Sequence, residues 1–224
     1  MAIQYTVVSI GALSRNPFWG ETTAVRTAHA TTTLIRTGDR KILVDPALPA
    51  TVLDARLFER TGLHLADIDT VFLTTFRTAH RMGLPALEGA RWYIHPAEKD
   101  WAKAYLEEMR GRLKKEAPVV DDELALLERC KAPEDKLAEG VELFPSPGAS
   151  PGGCGLLLTP VTGSVVIAGD AVISQEYLEH GRVWDQSHDL KRAQESLQDI
   201  LEVADLVIPA HDNILPVAGK LFGV

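Results

Sequence analysis

The chain has 224 residues, enough for one large domain to bury most of the surface its unfolded form exposes without disulfide or metal staples. Its 46% apolar and 24% charged residues are those of an ordinary folded domain, which excludes a disordered tail, a collagen or a coiled coil. A formal charge of -8, from 23 Lys and Arg against 31 Asp and Glu, disfavours a polyanion binder that must displace counterions, so no nucleic acid is expected as a partner.

At the N-terminus no Lys or Arg precedes the apolar run Tyr5-Thr6-Val7-Val8 and no small-residue cleavage site follows, so no secretory signal is read and the cytoplasm is the expected compartment. Short, β-branched runs predict strands at 5–10, 31–36 and 41–44, with Thr37-Gly38-Asp39-Arg40 supplying the turn of an antiparallel meander. Further strands are expected at 70–74, 92–94, 141–144, 155–158, 164–168 and 206–209. Helical periodicity appears at 52–60 with Gly62 as a stop, at 97–114 after Pro96, at 121–130, and at 190–203. The densely charged sections 99–116 and 118–135 read as solvated surface helices. Even the apolar run 161–168 is broken by Thr162, Gly163 and Ser164, so no membrane span is expected. Cys130 and Cys154 lack the spacing of a disulfide framework or a zinc knuckle and read as buried or incidental thiols.

Strands grouped early and interleaved with helices later predict an α+β, mixed α/β sandwich. No linker, low-complexity tract or repeat divides the chain, so residues 1–224 read as a single domain. Asp170 and His211 each stand just past a strand, Val165-Val166-Ile167-Ala168-Gly169 and Leu206-Val207-Ile208-Pro209-Ala210, and a loop after Val71-Phe72-Leu73-Thr74 leads to His80. Strand ends are where a rigid scaffold presents chemistry. Each residue taken singly also has a plain structural role, the Asp as a helix cap and the His as a core-edge packer.

The order and spacing of these motifs from Thr31 to Asp212 resemble the metallo-β-lactamase fold superfamily. Ile42-Leu43-Val44-Asp45-Pro46 is similar to its strand ending in Asp, and Thr75-Phe76-Arg77-Thr78-Ala79-His80 occupies the place of its His-x-His-x-Asp-His loop. Ser146-Pro147-Gly148-Ala149-Ser150-Pro151-Gly152 resembles its Pro-Gly-His turn with Ala149 in the histidine place, and Pro209-Ala210-His211-Asp212 its terminal histidine motif. The resemblance implies a four-layer αββα sandwich with the pocket at one sheet edge. It also implies a hydrolytic ancestry in which one or two metals activate water against an ester, lactone, thioester, amide or phosphodiester.

Carried over position by position, the resemblance makes Thr75, Arg77, Ala79 and Ala149 vacated ligand positions and leaves His80, Asp170 and His211 as one residual site. The first metal is therefore expected to be missing. Two imidazoles and a carboxylate suit one divalent metal, Zn²⁺ or Fe²⁺, and the opposing expectation is no metal at all. Two functions stay open: a non-catalytic or much altered pseudoenzyme binding a small molecule or partner in the old cleft, and a mononuclear hydrolase using the three residual ligands. A homo-oligomer is compatible with either.

Asp45 is expected to support the ligands from behind. His29, Asp185 and His188 are candidate pocket residues, each with a plain role at a strand start or helix N-terminus; His64, His95 and His180 read as loop or cap residues. Among subfamilies the frame resembles the lactonase and small stand-alone branches more than glyoxalase II. Tyr177 lies seven residues beyond Asp170, farther than the lactonases' catalytic tyrosine, whose place holds Ile173. Trp19 reads as a packed aromatic. Arg77, always protonated, is expected either to pair with Asp170, supplying the positive charge of the missing metal, or to lie out over the surface.

Overall fold

A computed structural model describes residues 3–113 and 117–217. The first sheet takes β1 (Gln4–Ser9), β2 (Thr32–Thr37), β3 (Arg40–Val44), β4 (Thr70–Leu73) and β5 (Arg91–Ile94) in chain order. Its first three strands form the expected antiparallel meander, while β3, β4 and β5 run parallel. The β2–β3 hairpin closes with Thr37 opposite Arg40, and Gly38 takes a φ of 56° that a Cβ would disfavour.

In the second sheet, β6 (Lys136–Ala138), β7 (Val141–Pro145), β8 (Cys154–Leu158), β9 (Val165–Gly169), β10 (Leu206–Pro209) and β11 (Leu215–Pro216) are ordered β11-β10-β9-β8-β7-β6. All its pairs are antiparallel except β9 and β10, which run parallel with Ile167 opposite Ile208. The helices are α1 (Ala50–Thr61), α2 (Thr78–Arg81), α3 (Pro96–Arg112), α4 (Ala117–Arg129), α5 (Gln175–Glu179) and α6 (Leu190–Val203).

The period-two alternation of the strands sorts their apolar side chains into layers. Leu34, Leu43, Val71 and Leu73 face outward onto Leu53 and Leu57 of α1, Ala102 of α3 and Leu127 of α4. Their neighbours Ile35, Ile42, Val44 and Phe72 face the other way and meet Leu156, Leu158, Val165, Ile167 and Ile208 between the sheets. Val166, Ala168 and Val207 form the outer face of the second sheet, covered by Leu197 and Ile200 of α6. The result is the αββα order of layers, each buried Leu, Ile, Val or Phe contributing roughly 1.5–3 kcal/mol. Helix α6 fits because Ala193, Ser196, Leu197 and Ile200 recur on one face, and the Asp189 side chain caps its first turn at Arg192 N, 2.9 Å.

Four short elements escape the sequence reading: β6, β11, α2 and α5 have two to five residues, too few to show a period. Helix α4 begins at Ala117, ahead of the expected 121, because Pro118 is tolerated in a first turn whose N–H groups lack intrahelical partners anyway. The expected end of the preceding helix at Lys114 lies outside the described residues. His64, His95 and His180 do stand at helix caps, and both cysteines are buried. Trp19 corrects its expectation: it is 63% exposed, because its neighbour Phe18 takes the packing role, edge-on to Tyr177 at 5.0 Å. Among the described residues no helix is long and apolar enough to cross a membrane.

Candidate active-site cleft

Four strands deliver the cleft. Parallel β3 and β4 lead into Asp45 and Thr74 in one sheet, parallel β9 and β10 lead into Asp170 and His211 in the other, and α2 carries His80. This is the crevice outside the carboxyl ends of parallel strands, where α/β folds place ligands.

His80 is buried between two carboxylates, with Nδ1 3.0 Å from Asp45 Oδ2 and Nε2 3.1 Å from Asp170 Oδ1. His211 Nε2 lies 3.8 Å from the same Asp170 oxygen, and its Nδ1 is 3.0 Å from the His29 backbone carbonyl. One donor atom from each of His80, Asp170 and His211 falls within 4.8 Å of the others. Asp45 is held in turn by Thr74, whose N–H and hydroxyl donate to it at 2.9 and 2.7 Å. Its φ of 49° is the positive value of a non-glycine residue, a strained conformation of the kind that gathers at functional sites.

Burial by itself lowers the His80 imidazole, but the charges of Asp170 and Asp45 and the hydrogen bonds to both outweigh it and raise the pKa to about 10. Burial pushes the Asp170 carboxyl up, yet the His80 charge and hydrogen bond, with Arg77 and His211 behind them, hold it far below the usual carboxylate range. His211 is lowered, chiefly by burial, against an opposing pull from Asp170.

Of the remaining predicted positions, Arg77, Ala79 and Asp185 line the same cleft. The Arg77 guanidinium lies 3.5 Å from Asp170 Oδ2, donates from Nη2 to the Ala149 carbonyl at 2.9 Å, and stacks 4.1 Å from the Trp184 ring centroid. Its side chain is turned inward, the first of the two orientations expected for it. Thr75 turns its hydroxyl to Glu98 at 2.6 Å, Ala79 lines the cleft, and Ala149 is buried. Asp185 lines the cleft as well. His29 contributes through its main-chain oxygen to His211, while its half-exposed ring approaches Thr27 O at 3.3 Å. His188 is exposed, lies outside the cleft lining, and donates its backbone N–H to the Ala149 carbonyl at 3.3 Å.

The cleft encloses about 290 Å³, with Leu13, Pro17, Ile173, Tyr177 and Trp184 as apolar wall and Arg15 beside them. Arg15 and Glu98 were not singled out from the sequence. Glu98 gave no signal, because an acid in the first turn of a charged helix reads as solvated.

A family model for the metallo-beta-lactamase superfamily matches residues 26–211, and the chain belongs to that superfamily. No curated protein matches the sequence. Among solved structures, a Staphylococcus aureus protein described as "a probable metal-dependent hydrolase" is similar at TM-score 0.72 and 14% identity, over 98% of this chain and 93% of its own. AidC, a dizinc quorum-quenching lactonase seen with a product, is similar at TM-score 0.67 and 17% identity, over 94% and 84%. A metallo-beta-lactamase family protein from Thermus thermophilus is similar at TM-score 0.60 and 18% identity, over 96% and 75%. At these identities the likeness is one of fold.

Proposed function

We propose that this chain has exchanged two-metal hydrolysis for binding of a small molecule in the cleft, with Arg77 standing where its relatives' first metal would be. The observation that carries the reading is the Arg77 guanidinium itself, 3.5 Å from Asp170, fixed by the Ala149 carbonyl and backed by Trp184. Arg stays protonated, so it adds a permanent positive charge beside Asp170, next to the His80 imidazole that is already paired with it. With Thr75 turned to Glu98 and only Ala79 and Ala149 nearby, no second group of metal donors among the described residues supports two-metal chemistry.

A single divalent ion does fit the residual triad. Both imidazoles have the outer nitrogen at an acceptor, Asp45 for His80 and the His29 carbonyl for His211, which leaves Nε2 of each aimed at Asp170. That is the outer-shell arrangement that fixes ring orientation in metal-ligating histidines. His80, Asp170 and His211 would hold Zn²⁺ or Fe²⁺, which supplies a Lewis acid and lowers the pKa of a bound water. This orientation favours the second reading, a mononuclear hydrolase acting on an ester, lactone, thioester or phosphodiester, with Arg77 facing the charge that develops on the attacked group.

Elemental analysis of protein purified without chelator separates the two. A metal-free preparation that also ignores added zinc and leaves p-nitrophenyl acetate and an N-acyl homoserine lactone intact supports the binder. Near-stoichiometric zinc or iron, lost together with hydrolysis in the H80A/H211A variant, overturns it in favour of the hydrolase.

A further inference from the structure

Glu98 is fully buried at the start of α3, and it is satisfied by donors from two other segments. Oε1 accepts the Thr75 hydroxyl at 2.6 Å and the Phe76 N–H at 3.2 Å; Oε2 accepts the Ser150 hydroxyl at 2.6 Å. A buried carboxylate persists only when its oxygens are hydrogen-bonded, so these three contacts are a requirement of the fold rather than an ornament. The turn containing Ser150 comes close enough because residue 152 is glycine: a Cβ there would lie 1.9 Å from the Glu98 amide nitrogen.

The positions gripped by Glu98 are informative. Thr75 and Phe76 directly precede Arg77, and Ser150 directly follows Ala149, whose carbonyl accepts the Arg77 Nη2 bond. Glu98 therefore holds both segments joined by the Arg77–Ala149 hydrogen bond, one residue away from it on each side. By the family resemblance, Thr75, Arg77 and Ala149 occupy the positions through which a first metal would tie the loop after β4 to the 146–153 turn.

We infer that Glu98 is the positioning residue of the cleft: its carboxylate makes this tie from behind and thereby holds Arg77 against Asp170 and Trp184. The inference rests on the reading that Arg77, not a metal, fills the first place.

The test reads Arg77 directly. With its guanidinium 4.1 Å from the Trp184 ring centroid, the Arg77 Nε–H proton is expected to carry a ring-current shift, assigned by its disappearance in R77K. Glu98→Ala is expected to abolish that shift, and so is Thr75→Val with Ser150→Ala, which removes the two hydroxyl ties while keeping Glu98; Glu98→Gln, which keeps the shape and an acceptor oxygen, is expected to retain most of it. Leu127→Ala, in the outer core away from the cleft, is expected to lower the melting temperature while leaving the shift in place. If Glu98→Ala does not fold, the double hydroxyl variant carries the test alone. A shift unchanged in the folded Glu98→Ala and hydroxyl variants, or lost equally in Leu127→Ala, overturns the positioning role. A wild-type protein with no such shift and zinc at both places overturns instead the underlying reading of Arg77.

Discussion

Asp45 and His80 are joined by a hydrogen bond of 3.0 Å in which both side chains are almost wholly removed from solvent, at 2% and 1% exposure. The Thr74 N–H and hydroxyl hold the same Asp45 carboxylate, at 2.9 and 2.7 Å. Asp45→Asn keeps the shape but removes the charge and places an amide donor or a weaker acceptor before Nδ1. We expect a loss of about 3 kcal/mol, the scale of breaking a buried pair, measured as a lower urea midpoint with unchanged slope. A variant as stable as the parent defeats the assignment of Asp45 as the support of His80.

Restoring donors at the vacated positions tests the account of the first place. Thr75→His, Arg77→His, Ala79→Asp and Ala149→His made together are expected to bind more zinc than the parent, read by isothermal titration. A quadruple variant that folds but takes up no additional zinc means that something other than absent ligands excludes the metal.

Gly152→Ala is expected to destabilise the fold by on the order of 2 kcal/mol, the range for overpacking against atoms that cannot yield. The nearest atoms to the added methyl are backbone of Ala97 and Glu98, not the end of a movable side chain. Thermal unfolding followed by circular dichroism checks this, and a neutral effect would show that the turn and α3 are less closely apposed.

Burial pushes the Cys130 thiol up to about 11 and the Cys154 thiol up to about 12. Both folded values exceed the roughly 8.5 of an unfolded cysteine. The stability linked to the neutral thiols is thus complete below about pH 8.5 and is lost as pH rises through the folded values. Between about pH 9 and 11 the wild type should lose stability more steeply than C130A/C154A. Parallel pH profiles of the two proteins would refute the assignment. At pH 8, thiol reagents should label the native protein far more slowly than the urea-unfolded one.

The layers were legible because strands such as 41–44 and 164–168 carry β-branched residues on alternating faces, and because Gly38 marks a turn only a few residues wide. His80, Asp170 and His211 were legible because strand ends and family spacing mark them one at a time. Glu98 was not: its partners Thr75 and Ser150 lie 23 and 52 residues away, and nothing local distinguishes a buried first-turn acid from a solvated one. Trp19 misled for the converse reason. Aromatic character predicts burial on average, but the chain had two aromatics side by side and packed Phe18.

Asp170 and His211 follow neighbouring parallel strands paired at Ile167 and Ile208, with a register shift between Ile208 and Pro209, so both are anchored on the second sheet. The loop after β4 is carried by the first sheet. The loop can therefore change its chemistry at Arg77 and Ala79 while Asp170 and His211 stay anchored on the other sheet. For protein engineering, this makes positions 77 and 79 a cassette whose chemistry can be changed while Thr75 keeps its tie to Glu98.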